Sequence, residues 1–247
     1  MKRRTLVVGT GVVAIAAVVG VLSRPRDWPV VRRVARQVAG PRTVADVVER
    51  YGPAAEARLR PHFERAGVPY PPKRLALLAF KQEKRLEVWA ENSGRWALVR
   101  VFPIPAASGH AGPKLREGDR QVPEGLYRIE SLNPNSSYHL SLKLNYPNEF
   151  DRQQAAAEGR ANPGSDIFIH GKAVSIGCLA MGDEAIEDLF VLVARVGAAN
   201  VQVVIAPNDL RRGKPVTDMT TAPAWLPGLY GRIEAALKAF PLAACAP

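Results

Sequence analysis

Between Asp166 and Met181 the chain reads Asp-Ile-Phe-Ile-His-Gly-Lys-Ala-Val-Ser-Ile-Gly-Cys-Leu-Ala-Met. An apolar, β-favouring run ends in His170, and a Ser-x-Gly-Cys turn delivers Cys178 eight residues later, so an imidazole and a thiol can meet at a sheet edge. A thiol attacks carbonyls as the thiolate, which calls for a nearby base or positive charge that lowers its pKa. Cys178 is the candidate nucleophile and His170 the candidate base. Gly171 and Gly177 let the intervening loop double back. Gly177 also lets a scissile carbonyl approach the backbone, so the amides of Gly177 and Cys178 are candidates for an oxyanion hole. Ser175 either orients His170 or substrate, or serves the turn alone.

Two rival chemistries use the same residues. Zinc takes three or four ligands, and His62, His110 and His139 are scattered without paired spacing, so no metal site is expected. A disulfide between Cys178 and Cys245 is permissible in an exported chain, although Cys245 sits in an Ala/Pro tail. No cofactor is expected.

The elements that must hold this stretch are set by periodicity. Thr43 is an expected N-cap, and apolar residues from Val44 to Phe63 recur at helical spacing, with Gly52-Pro53 predicting a break or kink, so that either a helical hairpin or a kinked helix ends near Gly67. Pro69, Pro71 and Pro72 then separate this helical region from a strand-rich one. From Arg74 the period becomes that of strands: 75–80, 85–90, 96–104, 125–129, 138–144, 166–170 and 201–205, with Asn92-Ser93-Gly94 as a hairpin turn. Asp183 is read as the N-cap of a helix with Ile186, Leu189, Phe190 and Val193 on one face, and a last helix is expected over about 227–240. His139 falls within an expected strand, and Trp89 and Trp96 flank the turn as an expected packing pair. The fold class is mainly β with flanking helices (α+β).

The first 23 residues place the chain in a compartment. Lys2, Arg3 and Arg4 precede an uncharged Val/Ala/Gly run to Ser23, which reads as an uncleaved membrane anchor or, alternatively, a cleaved signal peptide. Positive-inside logic puts Asp27 onward in the periplasm or cell envelope. The divisions are therefore 1–23 signal or anchor, 24–68 basic linker and helical extension, and 69–247 the catalytic domain. The net charge of +11 fits an acidic partner, and no nucleic-acid motif is present.

Ile-His-Gly followed by Ser-x-Gly-Cys and Met resembles the signature of the L,D-transpeptidase catalytic domain, the YkuD-type family, and Ile176 where most members have a second histidine points to its YafK-like branch. Gly112-Pro113-Lys114, Gly118-Asp119-Arg120-Gln121-Val122-Pro123-Glu124-Gly125, Asn133-Pro134-Asn135-Ser136 and Tyr146-Pro147-Asn148 agree with it, so the likeness spans roughly 68–210. The resemblance implies a β-sandwich-like domain and peptidoglycan as substrate. Cys178 would attack the carbonyl of the L-centre of diaminopimelate and expel D-alanine, and His170 would take the thiol proton and pass it to the leaving amine. An amine from another stem peptide, or from an envelope protein or lipoprotein, would resolve the thioester; water would make the same site a hydrolase. A reading of another class is an anchored peptidoglycan-binding module without catalysis. Lys114, Arg120, Asn135 and Gly171 are the expected substrate contacts, the first three because stem peptides carry carboxylates and amides that favour charge-assisted donors.

Overall fold

The computed structural model describes residues 40–242. The apolar N-terminal segment, most of the basic linker and Cys245 lie outside them. Residues 43–242 carry four α-helices and nine strands: α1 (Val44–Arg65), β1 (Leu75–Phe80), β2 (Arg85–Asn92), β3 (Arg95–Pro103), β4 (Ala106–Ala107), β5 (Gly125–Asn133), β6 (Ser141–Leu144), α2 (Glu149–Ala157), β7 (Phe168–His170), β8 (Leu179–Ala180), α3 (Asp183–Val196), β9 (Val201–Ala206) and α4 (Leu226–Leu237). The strands form one sheet in the order β3-β2-β1-β9-β5-β6-β7-β8-β4.

The expected sandwich-like character takes the form of one sheet with a shared strand. β5 pairs with β9 from Gly125 to Arg128 and with β6 beyond it, and its register shifts between Ile129 and Ser131 where the partner changes. Leu75, Leu77 and Ile205 from one half pack in the same core as Leu142, Ile169 and Leu179 from the other. β1 is apolar at every position because both its faces are covered. Leu75, Leu77 and Ala79 join the core with α1 and α3, whereas Ala76, Leu78 and Phe80 lie under α4 with Leu229 and Ile233. Each large aliphatic side chain so buried stabilises the fold by about 1.5–3 kcal/mol.

Several expectations need correction. Of the two forms expected for this region the hairpin is absent, and residues 44–65 are one helix: Thr43 and Asp46 form a capping box, and Pro53 and Pro61 lie inside the helix. An interior proline costs about 3 kcal/mol; burial of Val47, Ala55, Leu59 and Phe63 along one face offsets it. Asp183 is the first helical residue of α3, with Gly182 at the cap, and its carboxylate accepts the Lys172 amide at 2.8 Å. The strand expected from residue 138 begins at Ser141, because His139 has φ +74° and turns the chain. Trp89 and Trp96 each pack on Phe240, at 5.5 and 5.0 Å between ring centroids. Helix α2 is an addition to the elements expected from periodicity.

Candidate active site

β7 lies between β6 and β8, antiparallel to the first and parallel to the second, with His170 opposite Ser141 and Ala180. Continuing that parallel register back by two residues sets Cys178 beside Phe168. Side chains alternate across a sheet, so His170 and Cys178 share one face of neighbouring strand ends. Both line a cavity of about 670 Å³, with Arg120, Tyr138, Asp166 and Ile176 in its walls.

The imidazole is fixed in tautomer. His170 Nδ1 lies 2.6 Å from the Gly171 carbonyl, which can only accept, so the neutral ring carries its proton on Nδ1 and its lone pair on Nε2. Burial lowers the His170 pKa, opposed by that carbonyl and assisted by the charge of Lys172. Tyr138 stacks on the ring at 4.6 Å. Gly171 is a steric requirement: a Cβ there would stand 2.7 Å from the Tyr138 carbonyl oxygen and 2.8 Å from Asp183 Oδ1.

The thiol differs from expectation. Burial raises the Cys178 pKa, and the Phe168 amide and the charge of Lys114 only partly counter it. Both shifts favour the neutral forms, thiol and imidazole, over a stored thiolate. Cys178 Sγ is 3.9 Å from the Asp166 carbonyl oxygen.

The Ser175 hydroxyl is hydrogen-bonded to backbone groups and not to His170. Its Oγ accepts from the amides of Gly177 at 3.3 Å, Cys178 at 3.1 Å and Ser108 at 3.3 Å, and donates to the Cys178 carbonyl at 2.7 Å. The two amides expected to hold an oxyanion thus point at a serine hydroxyl in this state, and the hole is not preformed. Gly177, at φ +125°, still demands glycine for backbone reasons.

Of the expected substrate contacts, Lys114 and Arg120 line the cavity, and Asn135 and Gly171 do not. Lys114 is occupied: its Nζ donates to Asp119 at 2.6 Å and to the Arg116 carbonyl at 2.9 Å. Arg120 is exposed, with φ +57°, and its carbonyl accepts from Ser108 Oγ at 2.8 Å. The Gly-Asp-Arg-Gln-x-Pro-Glu-Gly block builds this wall. Asp119 also accepts the amides of Leu115, Arg116 and Gln121, and buried Glu124 holds Lys81 at 2.9 Å and Tyr230 at 2.7 Å. His139 bonds Glu187 at 2.8 Å, and among the described residues no three His, Cys, Asp or Glu side chains converge as a metal-ligand set. Ser108 and Tyr138 join the site without having been expected there. Ser108 carries no motif, and Tyr138 reaches His170 only through the turn at His139.

Residues 75–216, more than half of the chain, match the family model of the YkuD-type L,D-transpeptidase catalytic domain. The chain belongs to this family. YafK of Escherichia coli (strain K12), which carries L,D-transpeptidase as a provisional name, is 35% identical over 133 residues, 52% of each chain. The chain therefore spans about half the length of the curated relatives it matches. Among solved structures, the helical cell shape determining protein Pgp2 of Campylobacter jejuni is 25% identical, with a TM-score of 0.46 over 55% of this chain and 48% of its own. L,D-transpeptidase 1 of Mycobacterium tuberculosis is 14% identical, with a TM-score of 0.31 over 53% of this chain and 61% of its own. The matched L,D-transpeptidase region contains His170, Cys178 and the cavity walls, and it leaves α1 and α4 outside.

Proposed function

We propose that this chain is an exported, cysteine-dependent acyltransferase of the cell envelope that acts on peptidoglycan stem peptides. The observation that carries the reading is His170, fixed with its lone pair on Nε2 and sharing a cavity with the Cys178 thiol. Family membership supplies the substrate class. Cys178 gives its proton to His170 Nε2 as sulfur bonds to the carbonyl of the diaminopimelate L-centre. The C–N bond to D-alanine breaks, and the imidazolium protonates the leaving amine. An incoming amine, from a second stem or an envelope protein, loses its proton to His170 as it displaces the thiolate. For the oxyanion, the Gly177 and Cys178 amides turn from Ser175 Oγ to the substrate oxygen as it forms.

The test is intact-protein mass spectrometry after exposure to a disaccharide tetrapeptide. The expected result is a thioester adduct on the native chain and none on Cys178→Ala; turnover by that variant, or no adduct on the native chain, overturns the reading. Supplying an acceptor amine in the same assay separates transfer from hydrolysis by product mass.

A further inference from the structure

His170, the proposed base, is connected to a helix that lies outside the catalytic-domain match. Two side chains of α1 converge on the connection between β5 and β6. Tyr51 meets the His139 ring edge-on, at 5.5 Å between centroids and 79° between planes. His139 Nε2 donates to Glu187 Oε1 of α3 at 2.8 Å, and Arg58 of α1 stands 3.6 Å from the other oxygen of that carboxylate. The His139, Glu187 and Arg58 side chains are all partly buried, so salt screens these contacts less than it screens surface pairs.

From the turn that His139 anchors, two contacts run to the imidazole of His170. The Tyr138 ring stacks on it at 4.6 Å. The other contact passes through Gly171, whose carbonyl accepts the Nδ1 proton. The Gly171 amide donates to the Leu140 carbonyl at 3.2 Å, and a Cβ on Gly171 would stand 2.7 Å from the Tyr138 carbonyl oxygen and 3.0 Å from His139 Cβ. Lys172 closes the arrangement, its Nζ donating to the Ser137 carbonyl at 2.7 Å. Any shift of this turn therefore moves both the ring that covers the imidazole and the carbonyl that sets its tautomer. We propose that α1 acts on the catalytic apparatus, with Tyr51 and His139 as positioning residues that work through the 137–140 turn to hold His170 in place and in its Nδ1–H tautomer. The effect on rate rests on the acyltransferase reading; the effect on the ring does not. A helix α1 that served only to brace the fold, through Arg58 and Asp188, would leave His170 unchanged in any folded variant.

The experiment uses the full chain, labelled with 15N in histidine, and reads the ring nitrogens of His170 at neutral pH by long-range 1H–15N correlation, with the signals assigned from His170→Gln. The native chain is expected to show one protonated and one bare nitrogen, the pattern of a single tautomer. His139→Asn keeps a residue that tolerates the left-handed backbone but removes the imidazole that meets Tyr51 and Glu187, and Tyr51→Leu keeps apolar bulk without the ring. In both variants the two nitrogen signals should move toward each other as the tautomers exchange. Thioester formation with the disaccharide tetrapeptide should slow about tenfold at saturating substrate, with the half-saturating concentration near native. Glu187→Gln keeps an acceptor for His139 and should retain most of both. The same spectra report whether each variant is folded. Unchanged His170 signals in both folded variants overturn the proposal, even where acylation falls, and so do averaged signals in the native chain. Signals that average in the variants of a chain whose native form makes no thioester would overturn the catalytic reading alone and leave the link from α1 to His170 standing.

Discussion

Ser175 Oγ stands 3.1 Å from the Cys178 amide and 2.7 Å from the Cys178 carbonyl, so one hydroxyl clamps both ends of the proposed nucleophile's own backbone unit. It also receives the Ser108 amide from beyond the edge strand β4, tying the turn before Cys178 to the cavity wall. Replacement by alanine leaves three amides and one carbonyl without that partner. Each buried group so orphaned costs about 1–3 kcal/mol, less where water replaces the hydroxyl. Ser175→Ala should therefore lose about 1–3 kcal/mol in urea unfolding, and acylation of Cys178 should slow by roughly tenfold or more as the turn loosens. Ser175→Thr, which keeps the hydroxyl, should retain most of both. Unaltered stability together with unaltered adduct formation in the alanine variant would show the clamp to be idle.

His170 and Cys178 were legible because their relationship is local: eight residues, two glycines and a strand end suffice to bring them together. The block from Gly118 to Gly125 was legible as a pattern but not in its purpose, since Glu124 meets Lys81 and Tyr230 only after β1 and α4 have packed. Lys114 shows the same limit, because its ion pair with Asp119 turns an expected substrate contact into a wall support. Helix α2 had a usable signal: Asn148 and Asp151 form a capping box, and an Ala-rich turn follows. Nothing in the sequence announces the link between Ser108 and Ser175, 67 positions apart. Gly52-Pro53 read on paper as a break or kink, whereas in the fold the buried face carries one helix across it.

Asp188 is fully buried, and its two oxygens bond Arg58 of α1 at 2.8 Å and Arg100 of β3 at 2.8 Å. One carboxylate on α3 thereby joins the N-terminal helix to the sheet. Truncating it leaves two guanidiniums facing a cavity without their counter-charge, which typically costs about 3–5 kcal/mol for a buried pair. Asp188→Ala should approach the lower end of that range, because both arginines are partly exposed. Arg58→Met should cost less, since Arg100 still serves the carboxylate. Urea unfolding curves of the three proteins check the order; an alanine variant as stable as the native chain refutes the brace.

Gly171 permits a contrast between two glycines. A methyl at Gly171 meets the Tyr138 carbonyl oxygen at 2.7 Å, Asp183 Oδ1 at 2.8 Å and His139 Cβ at 3.0 Å, all atoms held by their own bonds, so the strand end carrying His170 must shift. Gly213 has open space around the same position and needs no left-handed backbone. Gly171→Ala should lose about 1–3 kcal/mol through overpacking and displace the imidazole, while Gly213→Ala should be neutral or slightly stabilising. Thermal unfolding gives the first comparison and adduct formation the second. Equal behaviour of the two variants would remove the steric argument.

The pH dependence is set by the signs of two shifts. In the proposed reaction His170 serves as a base only when neutral, and burial holds its pKa below the ordinary histidine value of about 6.5, so the imidazole stays neutral as the medium acidifies. Acylation should rise with pH along a limb centred below about 6.5 and be flat through neutrality. Lys172→Met removes a positive neighbour that depresses this pKa, so the limb should move upward. Simple alkylation by iodoacetamide, in contrast, consumes thiolate without substrate, and the Cys178 thiol is raised by burial. Its rate should keep climbing beyond the ordinary cysteine value of about 8.5. The two profiles must then separate: substrate acylation saturates while alkylation is still increasing, because the first needs only a proton acceptor on His170 and the second needs the sulfur already ionised. Coincident profiles would mean that Cys178 and His170 rest as an ion pair, against the neutral pair inferred from their burial.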